Sequence, residues 1–502
     1  MSLYEPTIGL EIHAELKTQT KMFCCSKNDP DALQPNVNVC PVCLAHPGTL
    51  PVINREAVRH VLRVGVALGA TLADYTEFDR KNYFYPDLPK GYQLSQFEYP
   101  LVSGGMLHDV AVTRVHLEED TASSVHTEDP STSSTNSPQA GSGQGGVTTI
   151  DYNRAGVPLM ELVTEPVIKS SKQAGDFARE LQLLLRYLGV SEANMEKGEM
   201  RVEANISVAP AGQLGTKVEI KNLNSFRAME RAVEYEIQRQ SALLEKGGTV
   251  VQETLGWDEV KQKTFSQRIK EGSADYRYFP DPDLPSLKLS EVPEFTRNTL
   301  QESLPELPSE RRGRYISLGI KAEDAEAYIR DLELAKFVET VISGYEGNSE
   351  RITLASNYIA NDLISLMRQA AEKGKDSRDI EKRDTESQSV ITISAEDFRK
   401  IIDMVAERRI SSRAAKDVLA VCVLEGKDPQ DVVREGNLMQ NSSTGDLEDV
   451  VMGILENNPT VVADYKAGKS SALEYLLGQS MKALRGAADP VALRALISQK
   501  LS

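Results

Sequence analysis

The sequence predicts an α+β fold, in which an N-terminal domain built on an antiparallel sheet precedes two helical domains. Strand-like alternation with one apolar face recurs before about residue 290, and helical spacing with polar breaks dominates after about residue 295. All six histidines lie at or before His126, and four of the five cysteines lie between Cys24 and Cys43. We therefore expect any metal or proton chemistry in the N-terminal domain.

Two segments show the strand alternation most clearly, and one helix lies between them. Residues 7–17 and 200–209 each place apolar side chains on one face and polar side chains on the other. The apolar faces carry Ile8, Leu10, Ile12, Ala14 and Leu16 in the first segment, and Val202, Ala204, Ile206 and Val208 in the second. Between them, Phe177, Leu181, Leu184 and Leu188 repeat at helical spacing before Gly189. A sheet with one packed and one wet face, backed by helices, follows from this pattern.

Composition shifts predict three domains, at residues 1–293, 294–409 and 410–502. Pro305 and Pro308 mark the passage to helical sequence, and a helix opening at 410–412 begins the last domain. Two segments, 129–149 and 371–389, are too polar or too charged to bury a core, so they are predicted to be insertions.

The net charge of −17 argues against a generic nucleic-acid coat protein. Residues 466–502 nevertheless hold six basic side chains against two acids, so this tail is locally positive. The N-terminus lacks the pattern of a signal peptide, and no apolar run is long enough to span a membrane. We expect a cytoplasmic protein with no membrane contact, in a compartment where the cysteines stay reduced.

Acidic residues recur on the wet strand faces. Glu11, His13 and Glu15 share one strand and Glu203 and Asn205 another, while Glu161 lies inside an apolar run. A third strand ends in Leu117–Asp120 after Arg114 and His116. A solvated strand face would explain one such strand, but several carboxylates on one sheet face repel each other unless a divalent ion lies among them. Oxygen-rich sites of this kind suit Mg²⁺, which shares phosphate oxygens with a nucleotide.

No phosphate-binding loop accompanies these acids. Gly468-Lys469-Ser470 resembles the end of a Walker A motif, but Ala463 occupies the position of its first glycine. Gly141, Gly143 and Gly146 match a dinucleotide pattern only inside the predicted insertion. ATP, if used, must be held by metal and by side chains of the sheet.

Two further segments are dense in aromatic and charged residues without a regular period, at 79–96 and 275–281. They are either ordered loops packed by aromatic rings or walls of a substrate site.

The cysteines at 24, 25, 40 and 43 give a C-x-x-C pair and a second, adjacent pair. This spacing favours a zinc site over reduced structural cysteines, with His46 as a substitute fourth ligand. Cys422 is expected in a helix core.

Long strings of the chain closely resemble the B subunit of the aspartyl/glutamyl-tRNA(Asn/Gln) amidotransferase. The resemblance is carried by IGLEIHAELKT, NVCPVCLAHPGTLPVIN, FDRKNYFYPDLPKGYQLSQFEYP, NRAGVPLMELVTEP, EANISV, KVEIKNLNSF and DYRYFPDPDLP. It implies a cradle fold similar to glutamine synthetase and guanido kinases. It also implies ATP-dependent phosphorylation of the side-chain carboxylate of Glu-tRNA(Gln) or Asp-tRNA(Asn), followed by amidation with ammonia.

The resemblance also assigns roles to individual residues. Glu11, His13, Glu119 and Glu161 match the catalytic site, and Glu11, Glu119 and Glu161 match its Mg²⁺ ligands. Strand alternation instead groups Glu118 with Arg114 and His116 and places Glu119 on the opposite face. A bulge or the end of the strand must therefore turn the side chain of Glu119 to the face that carries the site. Cys24, Cys25, Cys40 and Cys43 match the zinc-bearing branch of the family. The residues predicted to contact substrate or nucleotide are Lys81, Tyr83, Tyr85, Tyr92, Gln93, Ser95, Gln96, Arg154, Glu203, Asn205 and Lys221.

The implied partners are an amidase (the A subunit), which supplies ammonia from glutamine, a small C subunit and the mischarged tRNA. The chain itself has no amidase signature, and its basic tail fits a tRNA contact or, equally, an ordinary amphipathic helix pair. Two other hypotheses remain: a free-standing ligase or kinase of the same fold acting on a small acid, and a non-catalytic zinc scaffold for RNA. Whether Asp-tRNA, Glu-tRNA or both are substrates stays open.

Overall fold

Strand β1, Tyr4–Glu15, is the central long strand of a 13-stranded sheet. Its neighbours are β12, Met200–Pro210, on one side and β11, Pro158–Thr164, on the other, both antiparallel. Ile8, Leu10, Ile12 and Ala14 are at most 1% exposed, which confirms the predicted alternation. Because successive side chains of a strand point to opposite faces, the polar residues of β1 all lie on the other face.

The sheet continues on both sides of β1 in the order β15-β14-β13-β12-β1-β11-β8-β5-β4-β16, with β2, β6 and β7 attached near β8. Its other strands are β2 Thr71–Leu72, β4 Asp79–Asn82, β5 Tyr92–Ser95, β6 Val102–Ser103, β7 Met106–Leu107, β8 Val110–Glu119, β13 Val218–Leu223, β14 Glu253–Asp258, β15 Lys263–Ile269 and β16 Phe279–Pro280. Strands β13 and β14 pair in parallel, and the other described pairs of this sheet are antiparallel. Two small sheets join β9 Ser123–Thr127 to β10 Val147–Asp151, and β3 Tyr75–Thr76 to β17 Leu287–Lys288.

Three long helices cover the apolar face of the sheet: α1 Arg55–Ala67, α2 Ser171–Tyr187 and α3 Phe226–Glu245. Each begins after a capping residue, Asn54, Ser170 or Ser225, whose side-chain oxygen accepts a hydrogen bond from a backbone N–H in the first turn of the helix. Their buried residues join those of β1, β8, β11 and β12 in one hydrophobic core. The predicted helix is α2, and Gly189 follows its end at a φ of +67°, where glycine is unstrained.

The remainder of the described chain is mainly helical. After the 3-10 turns Leu289–Glu291 and Pro293–Phe295 come α4 Arg297–Glu302, α5 Pro308–Ser317, α6 Ala322–Arg330, α7 Leu332–Ser343, α8 Ser349–Tyr358, a π-helical turn Ile359–Leu363, α9 Ile364–Lys373, α10 Ala395–Ala406, α11 Ser412–Glu425, α12 Pro429–Glu435, α13 Thr444–Asn457, α14 Pro459–Lys466, α15 Ser470–Ala483 and α16 Pro490–Leu501. Cys422 is buried in α11, as predicted. A separate cluster between Leu447 and Leu501 forms the core of the last four helices.

The chain, here a computed structural model, is described at residues 4–127, 147–269, 275–373, 391–439, 444–484 and 490–501. It divides into two units, Met1–Leu307 and Pro308–Ser502. The α+β class is confirmed as a large sheet combined with many helices, while the division at residue 410 stays a prediction. Most of the two predicted insertions, at 129–146 and 374–389, lies outside the described residues. Within the described ranges, no helix combines the length and apolarity needed to cross a bilayer.

Candidate active site and metal centre

A row of polar side chains crosses three neighbouring strands on the open face of the sheet. His13 of β1 lies opposite Glu161 of β11, and Glu161 lies opposite His116 of β8. Residues that face each other across antiparallel strands point to the same side of the sheet. The strand pairing therefore brings these three side chains together from distant parts of the sequence.

Glu161 stands at the centre of this row. Its Oε2 lies 3.4 Å from Nε2 of His13 and 3.5 Å from Nε2 of His116, and its Oε1 lies 3.4 Å from Nη2 of Arg114. Two more carboxylates approach the same imidazole, because Nε2 of His13 is 3.5 Å from Oε1 of Glu118 and 3.8 Å from Oε1 of Glu11. We call Glu11, His13, His116, Glu118 and Glu161 the acid–histidine cluster.

The two histidines of the cluster have opposite pKa shifts. Burial would lower the pKa of His13, but its hydrogen bond to Glu161 and the charges of Glu118 and Glu11 raise it to about 9. Burial lowers the pKa of His116 to about 4, although the nearby Glu161 opposes the shift. Its Nδ1 is buried and has no hydrogen-bond partner within the part of the chain that the structure describes. His116 is thus a neutral imidazole at neutral pH, the form that binds metals.

The carboxylates of the cluster are crowded. Burial and the adjacent Glu161 raise the pKa of Glu118 to about 7, and burial, Glu161 and Glu203 raise the pKa of Glu11. Burial would raise the pKa of Glu161 as well, but His116 and the hydrogen bond from His13 hold it well below its usual range. Like charges in so small and dry a space favour a bound cation.

The donor atoms of the cluster fit a hard divalent cation. The described residues include two groups of three potential ligands here, one of Glu11, His13 and Glu161 and one of His116, Glu118 and Glu161. In each group the donor atoms lie within 4.8 Å of one another. Carboxylate oxygens are the ligands that Mg²⁺ prefers, so the residues present suit the predicted ion.

Cationic side chains flank the cluster. Burial alone would lower the pKa of Lys81, but Glu118, Tyr278 and Glu161 more than offset it and keep the ammonium charged. Lys81 also lies 5.1 Å from the ring centre of Tyr276, in a cation–π contact. On the other side, Nζ of Lys221 is 2.6 Å from Oε2 of Glu203, which faces Glu11 across β1 and β12. The open face therefore carries both signs of charge.

Glu119 does not join the cluster, and this corrects the predicted grouping of Glu11, Glu119 and Glu161. Its Oε1 accepts the backbone N–H of Leu94 at 3.0 Å and lies 2.5 Å from Nζ of Lys90. The pairing of β8 with β11 is regular from Glu119 to Arg114, so the bulge required to turn Glu119 round does not occur there. Strict alternation places Glu118 at the cluster, as the pattern with Arg114 and His116 indicated.

Several residues predicted to contact substrate do lie near the cluster. Oγ of Ser95 is 3.5 Å from Oε2 of Glu118, and the hydroxyl of Tyr83 donates to Oε1 of Gln93 at 3.2 Å. Asn205 follows Glu203 on the same face of β12, and its Oδ1 is buried without a described partner. These positions are compatible with the predicted contacts.

Other predicted contact residues lie elsewhere or are committed to structural bonds. The amide of Gln96 donates to Thr76 and accepts the backbone N–H of Leu117, which fixes it in the core. Arg154 donates to the backbone oxygens of Thr121 and Ala122. Tyr92 packs under the guanidinium of Arg80 and lines a cavity beside the cysteines, while Tyr85 is exposed.

The sequence interpretation missed an ionic group beside the cluster. Asp120 pairs with Arg201 and, at 3.7 Å, with Arg154. Glu15 shares a hydrogen bond with Asp120, and burial together with Asp120 raises its pKa to about 8. The position of Arg201 opposite His13 could have been read from the two alternating strands only if their register had been known.

The cysteines form a second potential metal centre. The sulfurs of Cys24, Cys40 and Cys43 lie within 4.8 Å of one another, and those of Cys40 and Cys43 are 3.9 Å apart. Thiolates on a tetrahedral zinc ion, at about 2.3 Å each, are about 3.8 Å apart. The geometry of these three residues therefore fits zinc.

Cys25 is exposed and lies outside this group, so the predicted set of four cysteines is reduced to three. The hydrogen bond between Cys24 and Cys43 lowers the pKa of Cys43 to about 5 and raises that of Cys24. Lys21 is fully buried with its Nζ 3.9 Å from the sulfur of Cys43. His46, the alternative fourth ligand, lines a cavity of about 160 Å³ that also touches Cys24 and Cys43.

These features define a class of protein: an α+β chain whose large sheet offers carboxylate and imidazole ligands on one face, followed by a unit whose described residues are mainly helical. Comparison with known families narrows the class. Residues 6–293 match the GatB/GatE catalytic domain, and residues 336–501 match the GatB domain.

The chain belongs to the family of B subunits of the aspartyl/glutamyl-tRNA(Asn/Gln) amidotransferase. It is 40% identical to the B subunit of Carboxydothermus hydrogenoformans over the whole of both chains. It is 41% identical to that of Moorella thermoacetica over 99% of this chain and 100% of the relative. With the protein of Crocosphaera subtropica it shares 40% identity over 97% of this chain and 95% of the relative.

Proposed function

We propose that the chain carries the kinase and amidation centre of a tRNA-dependent amidotransferase. It converts the side-chain carboxylate of Glu-tRNA(Gln) or Asp-tRNA(Asn) to an amide, using ATP and ammonia. The observation that carries this proposal is the acid–histidine cluster, which stands on the open sheet face of a chain from this family. A free-standing ligase acting on a small acid is not favoured, because the relatives align along the full length, helical unit included.

The first step is transfer of the γ-phosphoryl group of ATP to the carboxylate of the aminoacyl group. A carboxylate is a poor electrophile, so one of its oxygens must become a phosphate leaving group before ammonia can replace it. Mg²⁺, held by carboxylates of the cluster, would supply charge neutralisation for the phosphate oxygens. Lys81 and Arg114 place further positive charge beside Glu161, where they orient the anionic groups.

The second step is attack of ammonia on the acyl phosphate, which releases phosphate and leaves the amide. Glu203 and Lys221, which form an ion pair next to Glu11, are proposed to position the acyl group on the far side of the cluster. The sheet supports all these side chains on rigid strands, which favours precise orientation of the two reactants.

The proposed reaction needs partner proteins in addition to this chain. We propose that an amidase, the A subunit, produces the ammonia from glutamine and that a small C subunit joins the complex. The relatives are named as the B subunit of their enzyme, which supports an assembly of several chains. The complex is proposed to act in the cytoplasm, where aminoacyl-tRNAs are used. The cysteine group is proposed to hold one structural zinc ion.

The test is an amidation assay of the chain co-expressed with the two partner proteins. Mischarged Glu-tRNA(Gln) and Asp-tRNA(Asn) are supplied with glutamine and ATP. We expect Glu161→Gln and Glu11→Ala to lower tRNA-dependent ATP turnover and amidation by about 100-fold or more, because each removes charge used on the reacting groups. Binding of tRNA should change little, because neither residue lies in the basic tail.

Glu165→Gln is the matched control, because Glu165 lies just beyond β11 and bonds Thr113 at 2.8 Å rather than the cluster. It should retain turnover within about twofold. Retained turnover in Glu161→Gln, or equal losses in all three variants, would overturn the assignment of the reaction to the cluster.

A further inference from the structure

The cysteine group offers three sulfurs, whereas a structural zinc ion takes four ligands at the corners of a tetrahedron. Cys24, Cys40 and Cys43 supply three of these corners. We propose that the hydroxyl of Ser26 supplies the fourth, so that three thiolates and one neutral oxygen hold the ion. The inference rests on the zinc ion of the proposed function, and the ligands of the metal can be read without any turnover.

A tight turn brings Ser26 back to the cysteines. Thr20 and Lys27 form an isolated antiparallel bridge, and the backbone N–H of Lys21 donates to the backbone oxygen of Ser26 at 2.9 Å. The chain therefore folds back on itself across Cys24. This places the side chain of Ser26, two residues further on, beside the group of sulfurs.

The hydroxyl of Ser26 lies at the spacing expected of a ligand. Its Oγ is 3.9 Å from the sulfur of Cys43, the same distance that separates the sulfurs of Cys43 and Cys40. With Zn–S bonds of about 2.3 Å and Zn–O bonds of about 2.0–2.2 Å, an oxygen and a sulfur on one tetrahedral ion are about 3.6 Å apart. The side chain of Ser26 is also hydrogen-bonded to Cys24, so the hydroxyl faces the sulfurs from the open corner.

Two other side chains near the group are placed less well. The sulfur of Cys25 is exposed and lies outside the group. His46 is exposed as well, and among the described residues it joins no set of ligand atoms that lie within 4.8 Å of one another. Ser26 is thus the side chain positioned to complete the tetrahedron.

The charge of the surroundings favours a neutral fourth ligand. Three thiolates around a divalent ion leave one net negative charge. Lys21 is fully buried and places its ammonium 3.9 Å from the sulfur of Cys43, where it balances that charge. A fourth thiolate would add a second negative charge to the same buried space, which is costly without a second cation.

The test uses Co²⁺ as the probe, because it takes the tetrahedral sites of Zn²⁺ and absorbs light. The purified full-length chain is stripped of metal under a reductant and titrated with Co²⁺. The near-ultraviolet charge-transfer band grows with the number of cobalt–sulfur bonds, and the visible bands report tetrahedral geometry. An ion on the open sheet face has no sulfur ligand and does not contribute to the charge-transfer band.

We expect about one tetrahedral Co²⁺ per chain with three cobalt–sulfur bonds. Ser26→Cys should add a fourth such bond, raise the charge-transfer band by about one third and shift the visible bands to lower energy. Ser26→Ala should keep three sulfurs but shift the visible bands and weaken Co²⁺ binding about tenfold, because water replaces the side-chain ligand. Cys25→Ser and His46→Gln are the controls and should leave spectrum and affinity unchanged, with circular dichroism to confirm folding.

Three results would overturn the assignment of Ser26. They are a loss of band intensity or affinity in either control, an unchanged spectrum and affinity in Ser26→Ala, and a wild-type band as strong as that of Ser26→Cys. The comparison of wild type with Cys25→Ser decides even if a variant at Ser26 fails to fold. A wild-type chain without any sulfur charge-transfer band would overturn the zinc ion itself and this inference with it. The amidation assay is read separately, so failure of the reaction and failure of the ligand assignment are distinguishable.

Discussion

At the scale of single residues, Glu118 and Glu119 show how one position decides a role. Both are buried at the end of β8, at 2% and 3% exposure, and the pleat sends them to opposite faces. Glu118 meets His13, while Glu119 meets Lys90 and the cavity beside the cysteines. Their chemistry is identical, so only the strand geometry distinguishes them.

The cysteines make a similar distinction testable by metal analysis. Cys43→Ser should reduce the zinc content of the purified chain from about one per chain to nearly zero, because Cys43 is the buried member of the group of three. Cys25→Ser is the matched control and should keep the metal, since the sulfur of Cys25 is exposed and outside the group. The measurement is the zinc-to-protein ratio by atomic emission. Equal loss in both variants would show that Cys25 completes the site.

At the scale of elements, helix α1 illustrates what periodicity can and cannot predict. The apolar run after Val58 is interrupted by Arg59, His60 and Arg63, yet it forms a helix on the sheet. His60 is 5% exposed in the core, where its Nε2 lies 3.0 Å from the backbone oxygen of Lys17. Its Nδ1 has no hydrogen-bond partner among the described residues. The buried, neutral imidazole of His60 thus links the helix to the loop after β1.

The burial of His60 predicts a pH dependence of stability. Burial lowers the pKa of His60 below the usual value of about 6.5, although Lys17 and Glu56 oppose the shift. Below about pH 6.5 the unfolded chain therefore binds a proton that the folded chain resists, and the free energy of unfolding falls as the pH falls. The His60→Gln variant should lose less stability between pH 7.0 and 5.5. The difference in slope is at most about 1.4 kcal/mol per pH unit, the limit for one proton.

Denaturant unfolding followed by tryptophan fluorescence measures this difference. Trp257, the single tryptophan, lies in β14 of the first unit and reports on its unfolding. His13 and His116 titrate in both proteins, so their contributions cancel in the comparison. Parallel slopes for wild type and variant would contradict the assigned role of His60.

Elements with a strong local period were the predictable part of the fold. Residues 7–17, 177–188 and 200–209 were predicted correctly as β1, α2 and β12, because burial on one face imposes the period directly. Within the site, the alternation that grouped His116 with Glu118 was correct, and the family resemblance that preferred Glu119 led to a wrong grouping. The contact of Lys90 with Glu119 and the separation of Cys25 from its neighbours depend on long-range packing, which carries no local period.

At the scale of the whole molecule, the balance of charge limits how the chain can bind tRNA. A net charge of −17 repels the phosphate backbone, so binding depends on local positive surfaces. The basic tail predicted from residues 466–502 has fewer unpaired positive charges than its composition indicates. Three of its cations form ion pairs: Lys469 with Asp464 at 2.8 Å, Arg494 with Glu474 at 2.6 Å and Lys500 with Glu448 at 3.3 Å. Arg485 lies outside the described residues.

Lys466 and Lys482 are the exposed lysines of the described tail without such an ion pair, and they supply its available charge. If the tail contacts tRNA, the double variant Lys466→Gln and Lys482→Gln should weaken binding at low salt and change it little at high salt. The logarithm of affinity should also fall less steeply with the logarithm of salt concentration, by about one to two units of slope, since each lost phosphate contact removes about 0.7–0.9.

Fluorescence anisotropy with labelled tRNA between about 50 and 200 mM KCl measures both quantities, because phosphate contacts change affinity strongly over that range. Lys469→Gln is the matched control, since its ammonium is already paired with Asp464 and should contribute less to the slope. Exposed pairs are weak, so a small effect of the control is expected and a large one would mean that the pair opens on binding. If the double variant keeps the wild-type slope, the two lysines only form the solvent-exposed side of an amphipathic helix pair. The tRNA contact must then lie on another surface of this acidic chain.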